Sequence, residues 1–178
     1  WKKYISDQIN LLKLIPEDIR NKIIIRFKKR HNENSCYFDY WSMKKKITDN
    51  FPNIQIDNDH HTKKLLDYIP QSRLIIATYN ASVILETLSS NMPTIMYWDK
   101  HFNEINEISQ PVFNKLADEG ILHHDENSAS KHIISNFNNF DKWWNKPSVQ
   151  SARREFCTSF ADLPIDREEK FSQYLRDL

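Results

Sequence analysis

Glycine is nearly missing from this 178-residue chain, with Gly120 the single example. One glycine excludes both the GxGxxG dinucleotide fingerprint and the P-loop, which need several where the backbone approaches phosphate. Any phosphate held by this chain must rest on a helix end, on hydroxyls and on cations. Cysteine is scarce too: Cys36 and Cys157 lie far apart, without CxxC spacing. Neither a disulfide framework nor a cysteine metal site is expected, and the usage suits a reducing compartment. No apolar run approaches the ~18 residues of a membrane span, and no signal-peptide pattern opens the chain. A net charge of +1 gives no global field toward nucleic acid or an anionic membrane. The expectation is one soluble, cytoplasmic domain spanning 1–178, at most peripheral to the inner membrane, with no nucleic-acid partner and no integral membrane segment. The chain opens on Trp1 rather than methionine, which suggests a piece of something longer.

What is present is organised around residues 73–99, RLIIATYNASVILETLSSNMPTIMYWD. Leu74 to Ala77 form a continuous apolar run, the pattern of a strand buried on both faces. Thr78, Tyr79, Asn80, Ala81 and Ser82 break it with residues that favour turns and helix N-caps. Residues 83–90 then read as a helix, ended by Asn91-Met92-Pro93, and 94–98 as a second strand. Strand, loop, helix and strand make a βαβ unit, which requires parallel pairing and a right-handed crossover.

The flanking segments extend this pattern. Helices are expected at 2–14, near 17–21, at 43–50, 62–68, 111–119, 128–140, 148–160 and 166–178. Strands are expected at 22–27, 54–57 and 121–122, with a turn at Trp143-Trp144. The fold class is therefore α/β: a Rossmann-like open parallel sheet of about five strands with helices on both faces, plus extra C-terminal helices. In the order 2-1-3-4-5, the crevice outside the first and third strands is where such folds bind ligands.

Two turns would meet there. The loop at Thr78, Asn80 and Ser82 opens a helix, whose dipole and unpaired N–H groups favour an anion. Glu86, one turn further, is placed to accept from sugar or ribose hydroxyls. The first strand ends in a basic cluster that includes Arg26 and Lys28. Arg26 is the member singled out, because burying an arginine demands a partner. The simpler alternative is that Asn80 or Ser82 only caps the helix and Glu86 only complements its dipole.

The stretches TYNASVILETLSSNMPTIMYWD, HFNEINEISQPVFNKLADEGILH and WWNKPSVQSARREFC occur in that order. They make the chain, from residue 22 onward, resemble a bacterial family of surface-carbohydrate transferases. Members of that family look like GT-B glycosyltransferases, and this chain is similar to their C-terminal, donor-binding half, with 1–20 and 148–178 as helical flanks. The resemblance implies a nucleotide-sugar donor whose diphosphate rests at Thr78 to Ser82, with Arg26 neutralising the leaving phosphate. It implies Glu86 on the ribose and Trp98, His101 and Glu104 on the sugar. It implies no metal and no cofactor, because protein cations and the helix end stabilise the departing charge. The glycan acceptor and the general base would come from an N-terminal half outside this chain.

Other readings weigh less. His60-His61 and His123-His124 each offer one metal ligand at most, since neighbours on a strand face opposite ways. Cys157 falls on the apolar side of a helix and reads as core. The Trp143-Trp144 pair reads as packing before it reads as a carbohydrate platform. A receiver-type domain wants acids after its first strand, where this chain carries Arg26 and Lys28. A nucleotide-sugar epimerase and a non-catalytic nucleotide-binding module remain as alternatives to transfer.

Overall fold

The computed structural model describes residues 2–27, 43–57, 67–101 and 104–161. Helical spacing puts Ile5, Gln8, Leu11 and Leu12 on the buried side of α1 (Lys2–Leu14), as an amphipathic helix requires. Pro16 begins α2 (Glu17–Arg20), and the Arg20 guanidinium donates back to the Leu12 and Ile15 carbonyls. Strand β1 (Ile24–Ile25) follows, then α3 (Met43–Asn50) and β2 (Gln55–Ile56), with the two strands paired in parallel. A short 3-10 helix (Ile69–Gln71) leads into β3 (Ile75–Ala77), α4 (Ser82–Ser89) and β4 (Thr94–Tyr97). The chain continues through α5 (Gln110–Asp118), β5 (Leu122–His123), α6 (Glu126–Asn136), α7 (Phe140–Trp144) and α8 (Pro147–Phe160).

The β3-α4-β4-α5-β5 run is a doubly repeated crossover with all strands parallel, in the order β3-β4-β5. Right-handed crossovers set α4 and α5 on one face, where α8 packs on both, while α6 lies against β4 and β5 with α1 along it. The strand buried throughout is β4, with Ile95 and Met96 fully covered. The apolar run at Leu74–Ala77 had been expected to hold that place, yet Ile75 and Ile76 are only partly buried. A middle strand has a neighbour on each side, and the described ladder puts β3 at its border.

A five-strand sheet is not what the described residues form: they make one sheet of two strands and one of three. The first strand is short because the Lys22 and Ile23 amides turn back to the Ile19 and Arg20 carbonyls, leaving two residues for the ladder. The sheets meet through packing instead. Ile23 lies against both the main core and a smaller one built from Leu12, Ile47, Phe51 and Ile54.

Three further boundaries differ from expectation. Helix α6 starts at Glu126 rather than at 128, because Asp125 caps it, accepting from the Ser128 amide at 2.8 Å. It stops at Asn136, and Asn139 caps a separate helix, α7, where a turn had been expected at Trp143-Trp144. The last strand is Leu122–His123 rather than 121–122. The helices expected at 62–68 and 166–178 lie mostly or wholly outside the described residues.

The amino edge of the three-stranded sheet is closed by α7. Helix α4 ends on Asn91 in the left-handed region (φ 53°) and α5 on Gly120 (φ 72°). At each end two amides return to the last helical turn: Asn91 and Met92 to Leu88 and Thr87, Gly120 and Ile121 to Ala117 and Leu116. Both are Schellman terminations, which satisfy carbonyls a helix end leaves open. The two indoles of α7 then lock these ends, Trp144 Nε1 donating to Asn91 and Trp143 Nε1 to the Glu119 carbonyl, each at 3.0 Å.

Candidate functional site

The opposite, carboxyl edge is polar. Strand β3 runs out at Thr78, and after 78–81 the chain enters α4 through Ala81 at the N-cap, which makes no side-chain capping bond. Ser82 is therefore the first helical residue rather than the cap, and no acid sits in the first turn of α4. Helices α6 and α7 begin on a side-chain cap, whereas α2, α5 and α8 share the uncapped start of α4. Ser82 and Asn80 are exposed, as is Glu86 one turn into the helix.

Beside this loop, β4 ends at Tyr97, Trp98 and Asp99. The Tyr97 hydroxyl donates to the Asp7 carbonyl of α1 at 3.3 Å. Burial first, then the carboxylates of Asp7, Glu126, Asp125 and Asp99, push its ionisation far up, so it remains a neutral phenol. Alternation turns the next residue, Trp98, to the face carrying α4 and α5. Its main chain stays in the ladder, the amide donating to the His123 carbonyl and the Trp98 carbonyl paired with His124 Nδ1 at 3.1 Å. Trp98 is 2% exposed, and its Nε1 has no hydrogen-bond partner among the described residues.

Asp99 is held from two sides, by the His101 amide at 2.8 Å and by the Lys3 ammonium of α1 at 2.7 Å. Those two contacts, Lys3 first, keep its carboxyl below the ordinary range. Lys3 also bridges Asp7 at 3.0 Å, and the two carboxylates raise its own ionisation. The Tyr4 hydroxyl meets Thr78 Oγ1 at 2.8 Å. Lys3, Tyr4 and Asp7 escaped the sequence reading, which took α1 as a flank. The Tyr4–Thr78 contact spans 74 positions, a separation no periodicity can report.

The structure thus brings Thr78, Asn80, Ser82, Trp98 and His101 to one edge. Glu86 lies on the exposed side of α4, and Glu104 is exposed on the segment leading to α5. Lys28 lies outside the described residues. Arg26 has the partner its burial demands: Nη1 lies 3.1 Å from Oδ2 of Asp57, whose other oxygen accepts from the Tyr68 hydroxyl at 2.8 Å. The guanidinium also stacks over the Tyr68 ring. An open groove of about 590 Å³ beside α6 is lined by His123, Ser128, Lys131 and His132 among others, and none of the expected donor residues lines it.

The remaining expectations fall as follows. His123 is committed on both nitrogens, to Ser128 Oγ and the Gly120 carbonyl, and His60-His61 lie outside the described residues. Among the described residues no set of three histidine, cysteine or acidic side chains is arranged to hold a metal. Cys157 is partly buried against the main core. Among the described residues no helix is long and apolar enough to cross a membrane.

A parallel α/β sheet with an open helix start at its carboxyl edge belongs to the broad class of α/β proteins that bind ligands there. Within that class, the family model described as "LIC12162 family transferase" matches residues 1–175. The chain belongs to this transferase family. Searches of curated proteins and of solved structures returned no match.

Proposed function

We propose that this chain is the donor-binding domain of a GT-B-type glycosyltransferase, moving a sugar from a nucleotide-activated donor to a surface-polysaccharide or other glycan acceptor. The observation that carries this reading is the junction at Ala81. There a parallel strand ends, α4 begins without a side-chain cap, and the neighbouring strand ends in a buried indole N–H that lacks a partner among the described residues. The membership of a transferase family supports it.

In this reading the donor diphosphate lies at the α4 N-terminus, hydrogen-bonded by Ser82, Asn80 and Thr78. The helix dipole favours the negative charge that grows as the bond between anomeric carbon and phosphate oxygen breaks. The acceptor hydroxyl oxygen forms the new bond to that carbon, and its proton goes to a base outside this chain. Arg26, paired with Asp57 and stacked over Tyr68, is proposed to neutralise the leaving phosphate together with Lys28. Glu86 takes the ribose hydroxyls, while Trp98, His101 and Glu104 line the sugar side. No metal or cofactor is needed for this step, and the chain alone is proposed to bind donor without turning it over.

Calorimetric titration of UDP, GDP and CMP tests the reading. At least one should bind, and Ser82→Ala should weaken it roughly tenfold, the worth of one charge-assisted hydrogen bond. A chain that binds none of the three nucleotides is not a donor domain. In the parent protein, release of nucleoside diphosphate only on addition of acceptor separates transfer from epimerisation.

A further inference from the structure

The carboxyl edge at which the donor is proposed to bind is contacted by the chain's own first helix. Tyr4 holds the Thr78 hydroxyl at 2.8 Å, Lys3 holds Asp99 at 2.7 Å, and the Asp7 carbonyl receives the Tyr97 hydroxyl at 3.3 Å. These contacts tie the first two turns of α1 to the ends of β3 and β4. The grip of α1 changes character along its length. Leu11 and Leu12 are buried in the two cores, so the second half is fixed by apolar packing. The first turn carries exposed Lys2 and Lys3 as well as the buried Ile5, and its links to the strand ends are polar, each worth about as much as the hydrogen bond a ligand or water offers in exchange.

We propose that the first turn of α1 is a clasp on the donor pocket, Tyr4 and the incoming phosphate competing for the Thr78 hydroxyl, so that donor binding and release of the clasp are one equilibrium. The proposal rests on the donor reading above and adds its regulation. Thr78 is taken as the donor in this pair of hydroxyls. A threonine hydroxyl has one proton to give, and given to a phosphate oxygen it is not available to Tyr4. The clasp also reaches the sugar side, because the Asp99 carboxylate held by Lys3 is the one that holds the His101 amide. A donor that displaces Tyr4 therefore loosens the loop that follows β4, whereas the unliganded domain keeps that loop pinned.

The test is a double-mutant cycle read by calorimetry with UDP, GDP and CMP on wild type, Tyr4→Phe, Thr78→Val and the double variant. Tyr4→Phe keeps the buried ring, so its melting temperature is the control for folding. It should bind nucleotide about fivefold more tightly, one neutral hydrogen bond of competition removed. That gain should vanish in the Thr78→Val background, where no hydroxyl is contested. Hydrogen exchange of the amides at 6–8, whose helical acceptors lie in the first turn, should quicken when nucleotide binds. Binding to Tyr4→Phe alone supports the clasp in its strongest form. Equal or weaker binding by Tyr4→Phe overturns the clasp and leaves the donor reading intact. No binding by any of the four proteins overturns both.

Discussion

Substituting alanine for Gly120, the chain's single glycine, is expected to lower stability by about 2–5 kcal/mol. Two costs combine. Gly120 sits at φ 72° as the residue after the α5 cap, and a side chain in that left-handed region costs about 1–2 kcal/mol. A Cβ there would also lie 2.5 Å from His132 Cε1 and 2.7 Å from its Nδ1. The imidazole lines the open groove beside α6 and can retreat only by giving up its ring contacts. Its ring is edge-on to Trp143 at 4.5 Å and tilted against His123 at 5.1 Å, so forcing the extra atom in adds about 1–3 kcal/mol of overpacking. Urea unfolding followed by circular dichroism at neutral pH measures the sum as a lower midpoint at constant m-value. Repeating the substitution in a His132→Ala background separates the parts: the clash disappears and only the backbone cost of about 1–2 kcal/mol remains. A loss below about 1 kcal/mol in the wild-type background, or the same loss in both, would refute the account of a glycine kept for the ring above it.

The same ring makes the fold acid-sensitive. Burial, then His123 and Lys146, bring His132 down to about 4, and His123 is lowered as well, chiefly by burial. The unfolded chain takes up these protons first as pH falls, so stability is fully present above about pH 6.5 and declines between there and about 4. After allowing for the partial exposure of His132, the decline is about 2 kcal/mol. Urea midpoints across that window measure it, and a profile unchanged in His132→Phe would count against the assignment. Asp57→Ala is expected to cost about 2–4 kcal/mol, because it removes the buried carboxylate that the partly buried Arg26 and the Tyr68 hydroxyl share. A shift in urea midpoint worth less than about 1 kcal/mol would mean that the pair is solvated and contributes little.

How far the sequence reported this structure depends on the reach of each interaction. Helix α5 was legible at both ends, since Pro111 opens it and Gly120 follows its cap, and both signals act within a turn. Helix α4 and strand β4 were legible for the same reason. The start of α6 was ambiguous because Asp125 and Ser128 are both good caps. The choice fell to Asp125, with Ser128 supplying the amide it accepts and a hydroxyl for His123. Trp143-Trp144 read as a turn because Pro147 follows closely. The cap at Asn139 and the long-range acceptors at Asn91 and Glu119 make it a helix instead. Arg26 was read as needing a partner, but that the partner is Asp57 depends on β1 and β2 lying side by side. The part of α1 at the site was illegible for the same reason.

The two edges of the three-stranded sheet treat the same chemical group in opposite ways. Three indoles fall among the described residues, and each is 3% exposed or less. At the amino edge Trp143 and Trp144 both donate at 3.0 Å, as buried N–H groups generally do. At the carboxyl edge Trp98 is as deeply buried and donates to nothing. The other buried unpaired nitrogen among the described residues, His132 Nε2, belongs to an imidazole packed at 75° to the Trp143 ring. An unmet buried donor costs about 1–3 kcal/mol. The cost falls beside an uncapped helix start, where, in the donor reading proposed above, a ligand oxygen would supply the missing acceptor. Affinity at this edge is therefore expected to depend on an N–H that contributes nothing to stability. Trp98→Phe should lower the urea midpoint only by the cavity that the smaller ring leaves in the core, while nucleotide-sugar binding weakens about fivefold. A variant that loses stability and keeps its affinity would place the indole in the core alone.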